Sequence, residues 1–565
     1  MSVKILFINQ PNVPFDDIEK LFEGKNMRPP TLVIPLGILW LSSCVKKHDE
    51  NVQTHVIDYA HDLYKYADQC RNIDELIAYQ LDAVPFEPAI LAFSAVFSAS
   101  HMFLIRSIKR LKEQWPSATV IVGGNHATNA TEHLLENPDV DFVARGEAEI
   151  SFSEFVKNFS TTPHVPIQGI YSKEALGNDS CMVVGEYVED LDEVPFPDWD
   201  LIDMEVYTKT KWGRGSKNIY GHAERRTASI MTTRGCPFSC TFCASHTTSG
   251  RKMRYRSVEN VITEIDLLNK KFGVNIISAE DDLFTANRKK VIPLLKAIRD
   301  KKNEIEDFEF QFPNGLSVNT LFDDVMDGLI ECGTTYANIA IESGSEYVQR
   351  KIITKNCNLK RAKEVVKYLR DRGVTTRCYF VLGFPGETRE FMQETVDFAK
   401  EIQCDWAQFS IAVPLRGTVM HQQFIESGCV KDNAAVWGNS FIYERNFDTP
   451  EIGAEEMNEF VYRANLEVNF FNNPNFLSGN YSKSAGLYKE VLFSFPFHII
   501  ALYCLMKCHE AMGEVEQVKE DIENISRLIG ENDLSREMYS KYGEMMKDFT
   551  PVTETHIEKS SAVPL

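Results

Sequence analysis

Short apolar runs of strand length alternate with amphipathic stretches of helical period through the first 160 residues, and again from 227 to 412. In the first region the runs are VKILFI (3–8), VQTHVI (52–57), AILAFSA (89–95), ATVIVG (118–123) and DFVA (141–144), with helix-period segments that include 100–115 and 149–158. Apolar strands separated by helices predict an α/β unit, a flavodoxin-like, doubly wound parallel sheet over 1–160. Such sheets bind ligands beyond the carboxyl ends of their strands. The segments expected there are Asn9-Gln10-Pro11-Asn12, Ser94 to Ser100, Gly123-Gly124-Asn125-His126 and Arg145-Gly146-Glu147. Small residues and glycines at these points allow a flat ligand to approach the backbone. Tight strand-to-helix turns would use the same residues, and both readings stand at this level.

The second region places strands at 228–232, 274–279, 308–312, 336–341, 375–382 and 406–411, with helices near 257–271, 288–302, 321–332, 359–372 and 388–402. Six such units predict a (β/α)6 partial TIM barrel over 227–430, with its chemistry at the carboxyl ends of the strands. Residues 161–226 are less regular, and VPFPDWD (194–200) reads as part of a linker. Beyond 431 the pattern is helical to 550. Gly479-Asn480-Tyr481 and Gly513-Glu514-Val515 lie 34 residues apart, the tetratricopeptide period, so tetratricopeptide-like helices are expected. Those helices either cover the barrel mouth or recruit a protein partner. Residues 551–565 are expected to be a disordered tail.

A chain of 565 residues exceeds one ordinary core, and the pattern divides it accordingly. The net charge of −21 suits a soluble surface and argues against nucleic acid as a partner. No run approaches the ~20 apolar residues that span a bilayer, and no secretory leader pattern opens the sequence, so a cytoplasmic protein is expected. Most of the 13 cysteines are isolated in apolar segments, such as Cys332, Cys378 and Cys404, as free thiols are in a reducing compartment.

One cysteine group differs. Cys236, Cys240 and Cys243 follow the first strand of the second region with C-x3-C-x2-C spacing. Three thiolates on one loop can each hold one iron of a [4Fe–4S] cube, leaving the fourth iron open to a small molecule. Zinc is the alternative metal: His246 would complete a Cys3His site and make the chain a metal-binding interaction protein. Asp281, Asp282 and Glu342 fall at strand ends, where carboxylates can accept from an ammonium or a ribose diol, or can cap the next helix.

TTRGCPFSCTFC (232–243) resembles the signature loop of the radical S-adenosylmethionine (SAM) superfamily, Phe242 included. RYRSVENVITEI (254–265), SAEDDLFTANRKKV (278–291), IAIESGSE (339–346) and YFVLGFPGET (379–388) resemble further segments of that family. PLGILWLSS (35–43), FSAVFSASH (93–101), VGGNHAT (122–128) and ARGEAE (144–149) resemble its cobalamin-binding subgroup, so the likeness runs from residue 1 to about 430. The resemblance implies a [4Fe–4S] cluster on the three cysteines, and SAM contacted by Asp281 or Asp282 and by Glu342. It also implies cobalamin near Ser94, Gly123, Gly124 and His126. The implied activity is cleavage of SAM to a 5′-deoxyadenosyl radical and methylation of an unactivated carbon in a small-molecule substrate, with an electron donor feeding the cluster. Ring formation or rearrangement without methyl transfer is the second activity the subgroup implies. The D-x-H-x-x-G motif that supplies a lower cobalt ligand in many cobalamin proteins is missing; none of the 13 histidines sits in it.

Overall fold

The computed structural model describes residues 2–23, 32–159, 166–177, 182–209, 225–431 and 442–551. The expected tail falls outside these residues except at Pro551. The chain has a mixed α/β fold built on parallel sheets, followed by helices.

The first sheet holds β1 (Lys4–Asn9), β2 (Gln53–Asp58), β3 (Ile90–Ser94), β4 (Thr119–Gly123), β5 (Phe142–Ala144) and β6 (Ile170–Ser172) in the order β2-β1-β3-β4-β5-β6. All pairs are parallel except β5–β6. Helices cover both faces, which is why the strands read as continuous apolar runs. Leu6 and Ile8 of β1 enter one core, and Ile5 and Phe7 enter the core on the opposite face. Ordering in register brings Asn9, Ser94 and Gly123 into one row at the carboxyl edge. Strand β6 lies beyond the expected boundary at 160; three residues, only one of them deeply buried, give no periodic signal.

β7 (Thr227–Ile230) leads into a hairpin of β8 (Thr233–Arg234) and β9 (Arg254–Tyr255), which encloses the three cysteines. β10 (Ile276–Ala279) pairs in parallel with β7 and with β11 (Glu309–Gln311). β12 (Leu316–Ser317), β13 (Tyr336–Glu342), β14 (Thr375–Leu382) and β15 (Trp406–Ile411) form a second parallel sheet. The helices Val258–Phe272, Arg288–Lys302 and Leu359–Asp371 each start on a side-chain cap, from Ser257, Asn287 and Asn358. Their apolar faces and both sheets share one core.

The segment expected as a linker is partly a packed strap. Trp199 is buried, Asp198 accepts from Ser42 and Lys46, and Ser43 donates to the Phe196 carbonyl. Residues 194–200 therefore bind the first sheet's helix Leu36–His48. The C-terminal helices dock through Asp405, fully buried, which meets Lys483 at 2.8 Å and accepts from Asn475 at 2.9 Å. Gly479 and Gly513 both adopt positive φ just before the helices Tyr481–Ser494 and Val515–Glu531. Among the described residues no helix is long and apolar enough to cross a membrane.

Candidate active site

The carboxyl ends of the first sheet and of β7, β10, β12 and β13 open into one cavity of about 840 Å³. Cys236, Cys240 and Cys243 line it, each partly exposed. Their loop is held by its backbone. The Cys236 N–H donates to the Gly250 carbonyl at 3.2 Å, and Thr241 donates through N–H and hydroxyl to Ile353 and Ile352. Thr354 returns a bond to the Ser239 carbonyl at 2.8 Å, so the loop is strapped to the π-helical turn Val348–Ile352. Gly235 precedes the first cysteine with φ +92°, and a Cβ there would collide with the Lys252 carbonyl. Only glycine fits this approach without strain.

Three thiolates on one short loop at the cavity wall suit a cube, which takes one thiolate per iron. Burial pushes the Cys240 thiol up to about 11, opposed by the charge of Lys355. Burial also raises Cys236. Lys355 lines the cavity and pairs with Glu342 at 2.7 Å. It thus supplies a cation beside the thiolates that a cluster needs. Sequence reading did not single it out: nothing in TKNCN separates it from a surface lysine.

The neighbouring acids separate. Asp282 lines the cavity, and burial raises its pKa while a bond from Ser245 lowers it. The Asp281 side chain is 3% exposed and accepts from the Thr232 N–H and hydroxyl and from the Thr233 N–H. It ties β10 to the entry of the cluster loop and is not part of the cavity wall. Glu280 and Asp282 line the cavity, and Asp281, between them just after β10, turns to the Thr232–Thr233 backbone instead. Glu342 lines the cavity at the end of β13, where the register shifts and its φ is +72°.

Ser94, Gly123 and Gly124 line the other side of the cavity. Gly124 has φ +106°, and a Cβ would stand 2.5 Å from the Ala95 carbonyl oxygen, so the loop stays low. His126 is placed elsewhere: 2% exposed, with Nδ1 bonded to Ser98 and Nε2 to His101 Nδ1 at 2.9 Å. Burial lowers its pKa to about 3, which keeps the ring neutral. With both nitrogens engaged, His126 supports the loop from behind and offers no side chain to a metal in the cavity.

Phe242, between the second and third cysteines, packs on Phe384 at 5.7 Å. The turn carrying Phe384 is closed by Glu387, which accepts from the Gly383 and Phe384 N–H groups at 2.6 and 3.0 Å. Burial outweighs those bonds and pushes the Glu387 carboxyl up from 4.5 to about 8. A carboxyl raised on folding favours the folded protein when protonated. Its contribution is full below about pH 4.5 and is lost as pH rises through about 8. Melting temperatures measured across this window are expected to fall less steeply with pH in Glu387→Gln than in wild type; parallel curves would refute this.

The sequence matches the radical SAM superfamily over residues 230–399 and the B12-binding domain over residues 29–156. It is 30% identical over 388 residues to an uncharacterized methyltransferase of Pyrococcus horikoshii, covering 68% of this chain and 77% of that protein. It is 24% identical over 475 residues to the cytidylyl-2-hydroxyethylphosphonate methyltransferase of Streptomyces wedmorensis, covering 78% of this chain and 87% of that one. The fold is similar to that of OxsB, a cobalamin-dependent SAM radical enzyme solved with aqua-cobalamin and SAM. That match has a TM-score of 0.55 and 15% identity, and covers 99% of this chain and 78% of that one.

Proposed function

Because this chain belongs to the radical SAM enzymes that carry a B12-binding domain, we propose that it methylates an unactivated carbon of a small-molecule substrate, using a [4Fe–4S] cluster, SAM and cobalamin. The observation that carries this reading is the single cavity, walled on one side by the three cysteines and on the other by Ser94, Gly123 and Gly124. When bound, the cluster and SAM supply an organic radical that removes hydrogen from an inert C–H bond, and the corrin supplies the methyl group that replaces it.

The chain's own residues prepare that site. Cys236, Cys240 and Cys243 would hold three irons. Asp282 would accept from the SAM ammonium, and Glu342, oriented by Lys355, from the ribose. Leu32, Ile34, Leu36 and Phe238 line the same cavity and give it an apolar wall. His126 and Asp281 would act one layer out, by positioning the loops that make contact.

We read the two sheets of residues 227–430 as one (β/α)6 partial barrel, residues 1–160 as the cobalamin-binding unit and 161–226 as the connection. The helices of 431–550 are read as about one and a half tetratricopeptide-like repeats, which cover the barrel or dock a protein partner. An external electron donor and a cytoplasmic setting complete the proposal.

The test is product analysis. Anaerobically purified protein with added cobalamin, SAM and reductant should form both 5′-deoxyadenosine and S-adenosylhomocysteine. 5′-Deoxyadenosine alone would replace methylation by ring formation or rearrangement. Neither product, from protein carrying about four irons, would sink the reading.

A further inference from the structure

Two backbone segments beside the three-cysteine loop are held in a conformation that residues with side chains avoid. Among the described residues six non-glycine residues have positive φ, and three of them sit at one ion pair: Glu342 (+72°), Thr354 (+52°) and Asn356 (+55°). Thr354 is β-branched, and for such a residue this region is a genuine outlier. Strain of this kind persists only where the surrounding structure imposes it, and it gathers at functional sites. Here it brackets Lys355, whose Nζ meets the Glu342 carboxylate at 2.7 Å, with the two side chains 10% and 11% exposed.

One buried side chain fixes both ends of this pair. The Gln349 Nε2 donates to the carbonyls of Ile341 and Ser343, on either side of Glu342, at 2.8 and 2.7 Å. Its Oε1 accepts from the Cys357 N–H at 3.1 Å, and its carbonyl accepts from the Asn356 N–H. The Thr354 hydroxyl donates to the Ser239 carbonyl at 2.8 Å, which fastens the same turn between Cys236 and Cys240. Lys355 lines the cavity with the three cysteines, and its charge acts on both Cys236 and Cys240. Burial opposes that charge, yet Glu342 holds its pKa above the usual lysine value. Orienting Glu342 asks only for a donor. It does not ask for a cation to be buried beside thiolates, where solvent and salt screen it least.

We propose that Lys355 raises the reduction potential of the cluster, its buried ammonium offsetting the negative charge that reduction adds. This rests on the [4Fe–4S] reading above. On reduction the external donor loses one electron and the cluster gains it. No bond forms or breaks, and the anionic assembly of cluster and thiolates gains one negative charge. A fixed cation nearby favours that state and a fixed carboxylate disfavours it, so Lys355 and Glu342 pull the potential in opposite directions.

The test is an anaerobic dithionite titration of the full chain carrying its cluster, without SAM or cobalamin, followed by electron paramagnetic resonance of the reduced cluster. Lys355→Met alone would strand a buried carboxylate, so the ammonium is removed in a Glu342→Gln background. Glu342→Gln is expected to raise the potential above wild type. Adding Lys355→Met should lower it again by about tenfold in the reduction equilibrium, or about 59 mV for one electron. Equal potentials in Glu342→Gln and the double variant would overturn the proposal and leave Lys355 as a support for Glu342 alone. So would a lower potential in Glu342→Gln than in wild type, since loss of the carboxylate would then act through the fold and not through charge. Either result, from protein with an intact cluster, keeps the reading of the site and removes only this inference. Wild-type protein that forms no cluster removes both.

Discussion

Changing Cys236, Cys240 and Cys243 together to alanine is expected to bring iron to background and to abolish formation of 5′-deoxyadenosine and S-adenosylhomocysteine. The fold should survive. All three side chains are partly exposed and line the cavity, and the backbone bonds from Thr241 and Thr354 that strap their loop are untouched. Without iron, variant and wild type should therefore melt together. Added cobalamin should bind both, since Ser94, Gly123 and Gly124 belong to the other wall. The decisive comparison is iron content and product formation against corrinoid binding in the same preparations. A triple variant that still cleaves SAM would remove the cluster from these cysteines. One that melts far below cluster-free wild type would show that the thiols hold the fold and not a cofactor.

The second large effect is expected at Arg254. Its guanidinium is 2% exposed and grips Glu147 with both arms, at 2.7 and 2.6 Å, while also donating to the Val188 and Ser249 carbonyls. Arg234 meets the same Glu147 at 3.3 Å and Glu149 at 2.7 Å, with its guanidinium over the Trp40 ring. Burial works against the Glu149 charge, yet Arg234 holds its carboxyl below the usual range. Both arginines flank the cluster loop, on β8 and β9, and both glutamates follow β5 of the first sheet. This network is the ionic seam between the two walls of the cavity. Arg254→Met would leave a buried carboxylate short of its partner, a change that costs about 3–5 kcal/mol. Arg254→Lys should recover little, because a point charge cannot reproduce two parallel bonds. Combining Glu147→Gln with Arg254→Met should recover part of the loss, because the stranded charge is then gone. Thermal unfolding of the single and double variants, read beside the ratio of 5′-deoxyadenosine to S-adenosylhomocysteine, checks this. An Arg254→Met protein as stable as wild type would contradict it.

Local features were legible from the chain alone. The helix Arg288–Lys302 and the strand Thr375–Leu382 begin and end where their periodicity placed them. The three-cysteine loop was legible because its thiols lie within eight residues, 236 to 243, and need no tertiary contact to be recognised. Strands β8, β9 and β12 were not, since two residues carry no period. The two aspartates at 281 and 282 could not be told apart, because adjacent residues share every sequence property except the side to which they point.

By itself, then, the sequence determined the order of the longer strands and helices, the three-cysteine loop and the family. These depend on local periodicity and on short covalent spacing. Only the tertiary structure decided which polar groups face the cavity. It turned Asp282 in and Asp281 away, closed both nitrogens of His126, brought Lys355 to Glu342 beside Cys240, and joined Glu147 to Arg254 across 107 residues. Those choices follow from burial. A charged or amide group removed from water must find a partner, and where the partner is distant in the chain, only the packed fold can supply it.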